Sequence, residues 1–225
     1  MLALNTVLRP TLLVAARSSR LERTISRLGP TRHVVERFVA GKQEPAVVSA
    51  AASLLQSGRF VSVDFLGEDT TDAAMATATV DAYLSLLRAY AALPVPETSG
   101  ARPLEVSLKL SAMGQALPGV GHEVALANAR IICEAAAEVG AWVTIDAEDH
   151  TTTDSTLAIV KELRQDFPDL GTVLQAYLKR TEDDCRDLSG PRSRIRLCKG
   201  AYQEPAEVAY TKRDDVDTSF LISRN

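Results

Sequence analysis

The sequence predicts an α/β protein of the (β/α)8-barrel type, incomplete here, with about five strand–helix units after N-terminal helices. Five short apolar strands each precede a helical segment, and this alternation indicates a parallel sheet. Each strand also carries polar side chains on one alternating face, mostly in its later half. Such a face suits a barrel mouth better than an open sheet, whose two faces both meet helices. No GxGxxG motif follows any strand, so the dinucleotide fingerprint of an open Rossmann sheet is absent.

The predicted elements follow one another along the whole chain. The first 21 residues contain no acidic side chain, and we expect an amphipathic helix there rather than a transit or signal segment. A second helix is predicted over Pro45–Gln56, closed by Gly58. Five strands are then predicted, each followed by a helix. The strand is given first in each pair: 60–68 and 71–92, 104–111 and 124–139, 142–149 and 154–166, 172–178 and 182–188, and 194–200 and a helical segment from about 205.

Composition and charge exclude several classes of function. With 25 Lys and Arg against 29 Asp and Glu, the net charge is -4, so a nucleic-acid partner is not expected. The odd set Cys133, Cys185 and Cys198 lacks a CxxC spacing, which argues against a disulfide framework and a thiolate zinc site and favours a reducing, cytosolic compartment. No apolar stretch reaches the roughly 18–20 residues that span a bilayer, so any membrane contact should be peripheral.

The polar faces of the strands form the main candidate site. Its members share an inward-facing alternation: Ser62, Asp64, Ser107, Lys109, Ser111, Thr144, Asp146, Glu148, Gln175, Tyr177, Arg194 and Arg196. Charges in a barrel mouth are costly unless they pair or meet a ligand. Two interpretations remain open, a plug of ion pairs and a binding site for a charged or polar small molecule, and barrel mouths favour the second.

Residues of the same strands could also support metal binding or nucleophilic chemistry. Asp146, Glu148 and His150 have a spacing that could present ligands to a metal, but the TTTDST sequence after His150 is typical of a helix start, so we predict a loop histidine and no metal site. Cys198 has no histidine near it in sequence and alternates into the barrel beside Arg196. A small core residue is therefore predicted there rather than a nucleophile.

Four motifs, in this order, carry a family resemblance: LEVSLKLSAMGQALP, TIDAEDHTTTDSTL, VLQAYLKRTEDDC and RIRLCKGAY. Together they resemble proline dehydrogenase of the bacterial monofunctional type. The resemblance implies a distorted (βα)8 barrel that holds non-covalent FAD. It also implies oxidation of L-proline to 1-pyrroline-5-carboxylate, with electrons passed to a quinone at the inner face of the plasma membrane.

The resemblance also implies residue roles. Lys109 matches a lysine at the substrate site, Asp146 an aspartate that shapes the proline pocket, Arg196 an arginine near the flavin N5, and Tyr202 a tyrosine on the substrate side of the isoalloxazine. We expect Asp146 to pair with Lys109 and fix its position. The cofactor residues implied are Gln175 against the flavin ring, and Cys198, Lys199, Gly200 and Ala201 along the pyrophosphate and ribose.

The family pattern also sets the expected organisation. Residues 1–57 are predicted as an N-terminal helical segment and residues 58–225 as a partial barrel. The resemblance implies three further strands and a last helix whose arginine pair clamps the substrate carboxylate. An inactive truncated fragment is therefore the alternative to an active enzyme, and an enzyme split over two chains is a third.

Overall fold

The computed structural model describes residues 39–41, 43–96, 98 and 100–224, and the chain divides into two compact units, residues 1–50 and 51–225. The helix predicted in the first 21 residues lies outside the described residues. Of the first unit, the described part contains the start of one helix. The second unit contains the parallel sheet and its helices.

Strands and helices alternate through the second unit, as predicted. The elements are α1 (Glu44–Gln56), β1 (Val61–Asp64), α2 (Ala73–Tyr90), β2 (Leu104–Leu108), a 3-10 turn (Ser111–Met113), α3 (Gly121–Glu138), β3 (Trp142–Ile145), α4 (Thr153–Leu163), β4 (Gly171–Gln175), α5 (Thr181–Asp187), β5 (Arg194–Cys198) and α6 (Arg213–Ser223). None of the helices in the described ranges is both long and apolar enough to cross a membrane.

Local sequence explains where the longest helices begin and which face they bury. Asp72 caps α2, and its carboxylate accepts a hydrogen bond from the backbone N of Ala74 at 2.7 Å. Helix α3 buries small and apolar side chains at helical spacing, among them Ala125, Ala129 and Ile132, each 0% exposed. These helices cover one face of the sheet, and the core lies between the helices and that face.

All five strands are parallel and lie in the order β1-β2-β3-β4-β5. The register places Asp64 beside Ser107, Ser107 beside Thr144, and Gln175 beside Cys198. These polar residues therefore share one face, as the alternation predicts. On the other face Val106, Leu108 and Ile145 are fully buried.

Contacts between distant strands show that the sheet curls around its polar side. Arg194 of β5 forms an ion pair with Glu105 of β2, although two strands lie between them. In a flat sheet these strands would stand roughly 14 Å apart, because neighbours are spaced by about 4.8 Å. We call the polar side the concave face; it comprises Ser62, Asp64, Glu105, Ser107, Lys109, Trp142, Thr144, Asp146, Gln175, Arg194, Arg196 and Cys198. This curvature agrees with the barrel-type α/β fold predicted from the sequence.

The strands end earlier than the sequence patterns predict. The first predicted strand ends at Asp64, and the next residues, Phe65 and Leu66, are exposed rather than buried. Ser111, expected on β2, instead begins the 3-10 turn, because the amides of Ala112 and Met113 bond back to Lys109 and Leu110. Tyr177 lies past the end of β4 in a loop.

The helical segment predicted from about residue 205 was wrong in its start. Residues 206–208 form a turn, and Ala209 makes an isolated antiparallel bridge with Leu178. Helix α6 begins only at Arg213. The bridge occupies backbone groups that a helix would have used, so the helix starts after it.

Candidate functional site

Glu105 is the centre of the lower layer of the concave face, toward the amino ends of the strands. Its carboxylate accepts hydrogen bonds from Ser62 Oγ at 2.8 Å and Thr144 Oγ1 at 2.9 Å, and it pairs with Arg194. The Arg194 guanidinium also lies 3.8 Å from the centre of the Trp142 ring. Four strands thus meet at one carboxylate that the sequence analysis overlooked. Strict alternation with Ser107 and Lys109 was the signal that could have found it.

The next layer, toward the carboxyl ends of the strands, consists of Arg196, Asp146 and Ser107. Ser107 Oγ donates to Asp146 Oδ1 at 2.8 Å, and Arg196 Nη2 donates to Ser107 Oγ at 3.0 Å and pairs with Asp146. Burial raises the pKa of Asp146, and the Arg196 charge and the Ser107 hydrogen bond only partly oppose it. Two of the predicted catalytic residues, Asp146 and Arg196, are therefore in direct contact.

Lys109 pairs with Asp64 rather than with Asp146, which corrects the expected partner. The lysine side chain is only 16% exposed. Burial lowers the pKa of Lys109, but the hydrogen bond and charge of Asp64, with Asp146 adding charge, outweigh it and raise the pKa. The ammonium thus stays charged, and it is held at the carboxyl end of β2 by a residue of β1. Asp64 Oδ1 is buried without a hydrogen-bond partner among the described residues.

Glu148 joins two of the strand-end loops. It accepts a hydrogen bond from the backbone N of Ser111 at 3.0 Å and another from the Ser111 hydroxyl. Burial raises the pKa of Glu148, and these two bonds act against that rise. His150 bonds to Glu204, so the three residues with metal-ligand spacing take separate partners. Within the described residues no group of three or more His, Cys, Asp or Glu side chains has an arrangement that could hold a metal ion.

Gln175 ends β4 and presents a buried acceptor that lacks a donor. The side chain is 4% exposed, and Gln175 Oε1 has no hydrogen-bond partner in the described part of the chain. Leaving such a group unpaired costs about 1–3 kcal/mol. The backbone carbonyl of Gln175 is satisfied by Thr181 Oγ1 at 2.6 Å, which fixes the end of the strand. The side chain therefore suits an N–H donor from a bound molecule.

The side chains after Arg196 point to alternate sides of the sheet. Cys198 lies beside Gln175 on the concave face and is partly buried, and burial raises the pKa of its thiol, so the thiol stays protonated. Lys199 points the other way and pairs with Asp217 of α6, where it is half-exposed. The predicted cofactor segment thus has its cation on the helix side of the sheet.

Gly200 and Tyr177 are in direct contact at the end of this segment. Gly200 has φ +106°, and a Cβ atom there would lie 2.4 Å from Tyr177 Cδ1. Only glycine fits that conformation and that space. Ala201 is exposed, and Tyr202 is partly buried with its hydroxyl 3.4 Å from Glu68 Oε1. The backbone of this segment is therefore fixed closely against the end of β4.

A buried carboxylate in the loop after β5, Glu204, is the second residue that sequence reasoning missed. It receives hydrogen bonds from His150 and from Tyr177. The loop has no periodic pattern, so nothing in the sequence separates Glu204 from the exposed Glu207. The histidine itself lies in the predicted loop, with its ring on Glu204 rather than on backbone.

Comparison with known proteins gives consistent matches. The proline dehydrogenase family model matches residues 47–220. Proline dehydrogenase of Deinococcus radiodurans is 38% identical over 190 residues, which are 84% of this chain and 59% of that protein. Proline dehydrogenase 1 of Bacillus subtilis is 34% identical over 84% of this chain and 60% of its own length. The chain therefore spans about three fifths of the curated relatives it matches.

A solved structure has the same fold. The proline utilization A protein of Bdellovibrio bacteriovorus, inactivated by N-propargylglycine, superposes with a TM-score of 0.73 at 22% identity. The match covers 86% of this chain and 24% of that protein. At this identity the likeness concerns the fold alone, and it agrees with a barrel-type arrangement of the strands.

Proposed function

The chain belongs to the proline dehydrogenase family, and from this premise we propose that its concave face forms part of a flavoenzyme site that oxidises L-proline to 1-pyrroline-5-carboxylate. FAD is the proposed cofactor and a quinone the proposed electron acceptor. A membrane quinone would require peripheral contact of an otherwise cytoplasmic protein with the inner face of the plasma membrane. Residues 1–57 would form a helical segment before the barrel portion, 58–225.

The observation that carries the proposal is the buried, unpartnered Gln175 Oε1 beside the polar layers of the concave face. FAD would supply the hydride acceptor for oxidation of the proline ring, and its reduced form would be anionic. Arg196 suits stabilisation of such charge, because Asp146 and Ser107 fix its guanidinium while 46% of the side chain stays exposed. Gln175 would accept a hydrogen bond from a ring N–H.

The other residues supply charge and shape. Lys109 would attract the proline carboxylate, and Asp64 holds its ammonium in place. Asp146 would border the substrate, and Tyr202 would lie on the same side. Cys198, Gly200 and Ala201 would follow the cofactor pyrophosphate and ribose. Lys199 would contribute its ammonium to the phosphates only by leaving Asp217 on the helix side of the sheet.

Flavin binding by the 225-residue chain tests the proposal. The purified chain is titrated with FAD, bound flavin is followed by its absorbance and fluorescence, and proline-dependent reduction of a dye acceptor is then measured. Gln175→Ala should weaken flavin binding, whereas Gln165→Ala, the same change at an exposed site, should not. A folded chain that binds no flavin would refute the proposal for these residues. Bound flavin without proline oxidation would leave a cofactor-binding but inactive chain, the alternative function.

A further inference from the structure

Glu204 is a deeply buried carboxylate whose two oxygens both have partners. Its side chain is 3% exposed. Oε1 accepts from the backbone N of His150 at 3.0 Å and from the Tyr177 hydroxyl at 3.1 Å, and Oε2 pairs with His150 Nδ1. A buried carboxylate is costly unless its acceptors are filled, so this geometry holds all three groups together.

Glu204 and its two partner residues follow three neighbouring strands. His150 is in the loop after β3, four residues beyond Asp146. Tyr177 follows β4, two residues beyond Gln175, and Glu204 itself follows β5, two residues beyond Tyr202. One side chain therefore links the three loops that continue from the predicted substrate and cofactor residues of β3, β4 and β5.

Backbone contacts of Tyr177 fix the conformation of the segment 198–202. The amide of Tyr177 donates to the carbonyl of Lys199 at 3.0 Å, and the amide of Tyr210 donates to the carbonyl of Tyr177 at 2.7 Å. The Tyr177 ring also lies against the backbone of Gly200. Holding the Tyr177 hydroxyl thus holds the ring that sets the path of the segment.

We propose that Glu204 is a positioning residue that fixes the segment 198–202 against β4 and the loop after β3, so that this segment is ordered before a cofactor binds. The cofactor part of this inference rests on the proposed function. Without Glu204 the segment would have to be ordered on binding, and affinity would fall. In metal sites, removal of the hydrogen-bond partner behind a ligand commonly costs about 10- to 100-fold in affinity. We expect an effect at the lower end of that range here.

Two substitutions of Glu204 separate its hydrogen bonds from its charge. Glu204→Ala leaves the amide of His150 and the Tyr177 hydroxyl without their acceptor. Glu204→Gln keeps an acceptor for both, and its amide NH2 can donate to His150 Nδ1 in the other tautomer. We expect FAD to bind the Ala variant about 10-fold more weakly and the Gln variant within about threefold of the unsubstituted chain. Glu207→Ala is the matched control, at an exposed site three residues later.

Hydrogen exchange of the flavin-free chain tests the positioning independently of any cofactor. The amides of residues 199–202 should exchange faster in Glu204→Ala than in the unsubstituted chain, while the amides of α3 and β2 exchange at the same rate. In Glu204→Gln and Glu207→Ala, the amides of residues 199–202 should exchange as slowly as in the unsubstituted chain. If the unsubstituted chain binds no flavin, the proposed function fails while this exchange pattern still tests Glu204. Unchanged exchange in Glu204→Ala, or equal effects of the Ala and Gln substitutions, would overturn the inference.

Discussion

Replacing Glu105 by glutamine should destabilise the fold markedly, although the residue lies below the predicted substrate and cofactor residues. The Ser62 and Thr144 hydroxyls can turn to suit an amide, but Arg194 would lose its carboxylate. Breaking a fully buried pair on one side costs about 3–5 kcal/mol. Glu105 is 15% and Arg194 24% exposed, so solvent screens part of that cost, and we expect a loss of about 2–3 kcal/mol.

Urea unfolding followed by circular dichroism measures this loss, and the midpoint of thermal unfolding should fall by about 4–12 °C. Glu162→Gln is the control, because Glu162 pairs with Arg130 at 3.5 Å on the surface with about half of its side chain exposed. That change should stay within about 0.5 kcal/mol. Equal stability of the two variants would show that the charges of the concave face do not stabilise the fold.

Two further predictions concern the end of β5 and the loop after β3. Gly200→Ala should lower the free energy of unfolding by about 1–3 kcal/mol and weaken flavin binding, because the new Cβ would meet the Tyr177 ring. Gly119→Ala is the control: Gly119 also has a positive φ but open space around it, so this change should lower the free energy of unfolding by less in the same assay. Burial raises the pKa of Glu148, so the folded state holds its proton more tightly than the unfolded state. The contribution of this carboxyl to the free energy of unfolding therefore falls as the pH rises from 4.5, the ordinary pKa of a glutamate, through the raised pKa of Glu148. Glu148→Gln should flatten this pH dependence in urea unfolding midpoints measured across the same interval. An unaltered slope would contradict the assignment to Glu148.

Alternation predicted the faces of the strands well, because a side-chain period of two depends only on the extended backbone. Val106 and Leu108 are fully buried, and Ser107 lies on the concave face as predicted. Pairing partners were harder to predict, since alternation gives the face but not the height of a side chain. Lys109 consequently bonds to Asp64, one strand back, and not to Asp146.

The limits of the strands depended on contacts that no local pattern encodes. Ser111 continues the alternation of β2, yet a 3-10 turn ends that strand, and the Ser111 hydroxyl binds Glu148 from a later loop. Glu204 was missed for a similar reason, since its partners are far away in sequence, His150 by 54 residues and Tyr177 by 27. The sequence therefore predicted the face that carries the candidate site but not the hydrogen bonds between loops that hold its residues in place.

The ion pairs of the concave face have a consequence for its response to ligands. Asp64, Glu105 and Asp146 are opposed there by Lys109, Arg194 and Arg196, so the charges of these pairs cancel. An arriving anion adds uncompensated charge, and the pKa of Asp146, already raised by burial, must then rise further. At pH values near the pKa of Asp146, anion binding at this face is thus linked to proton uptake, and its enthalpy should vary there with the ionisation enthalpy of the buffer even for a ligand that does not itself titrate.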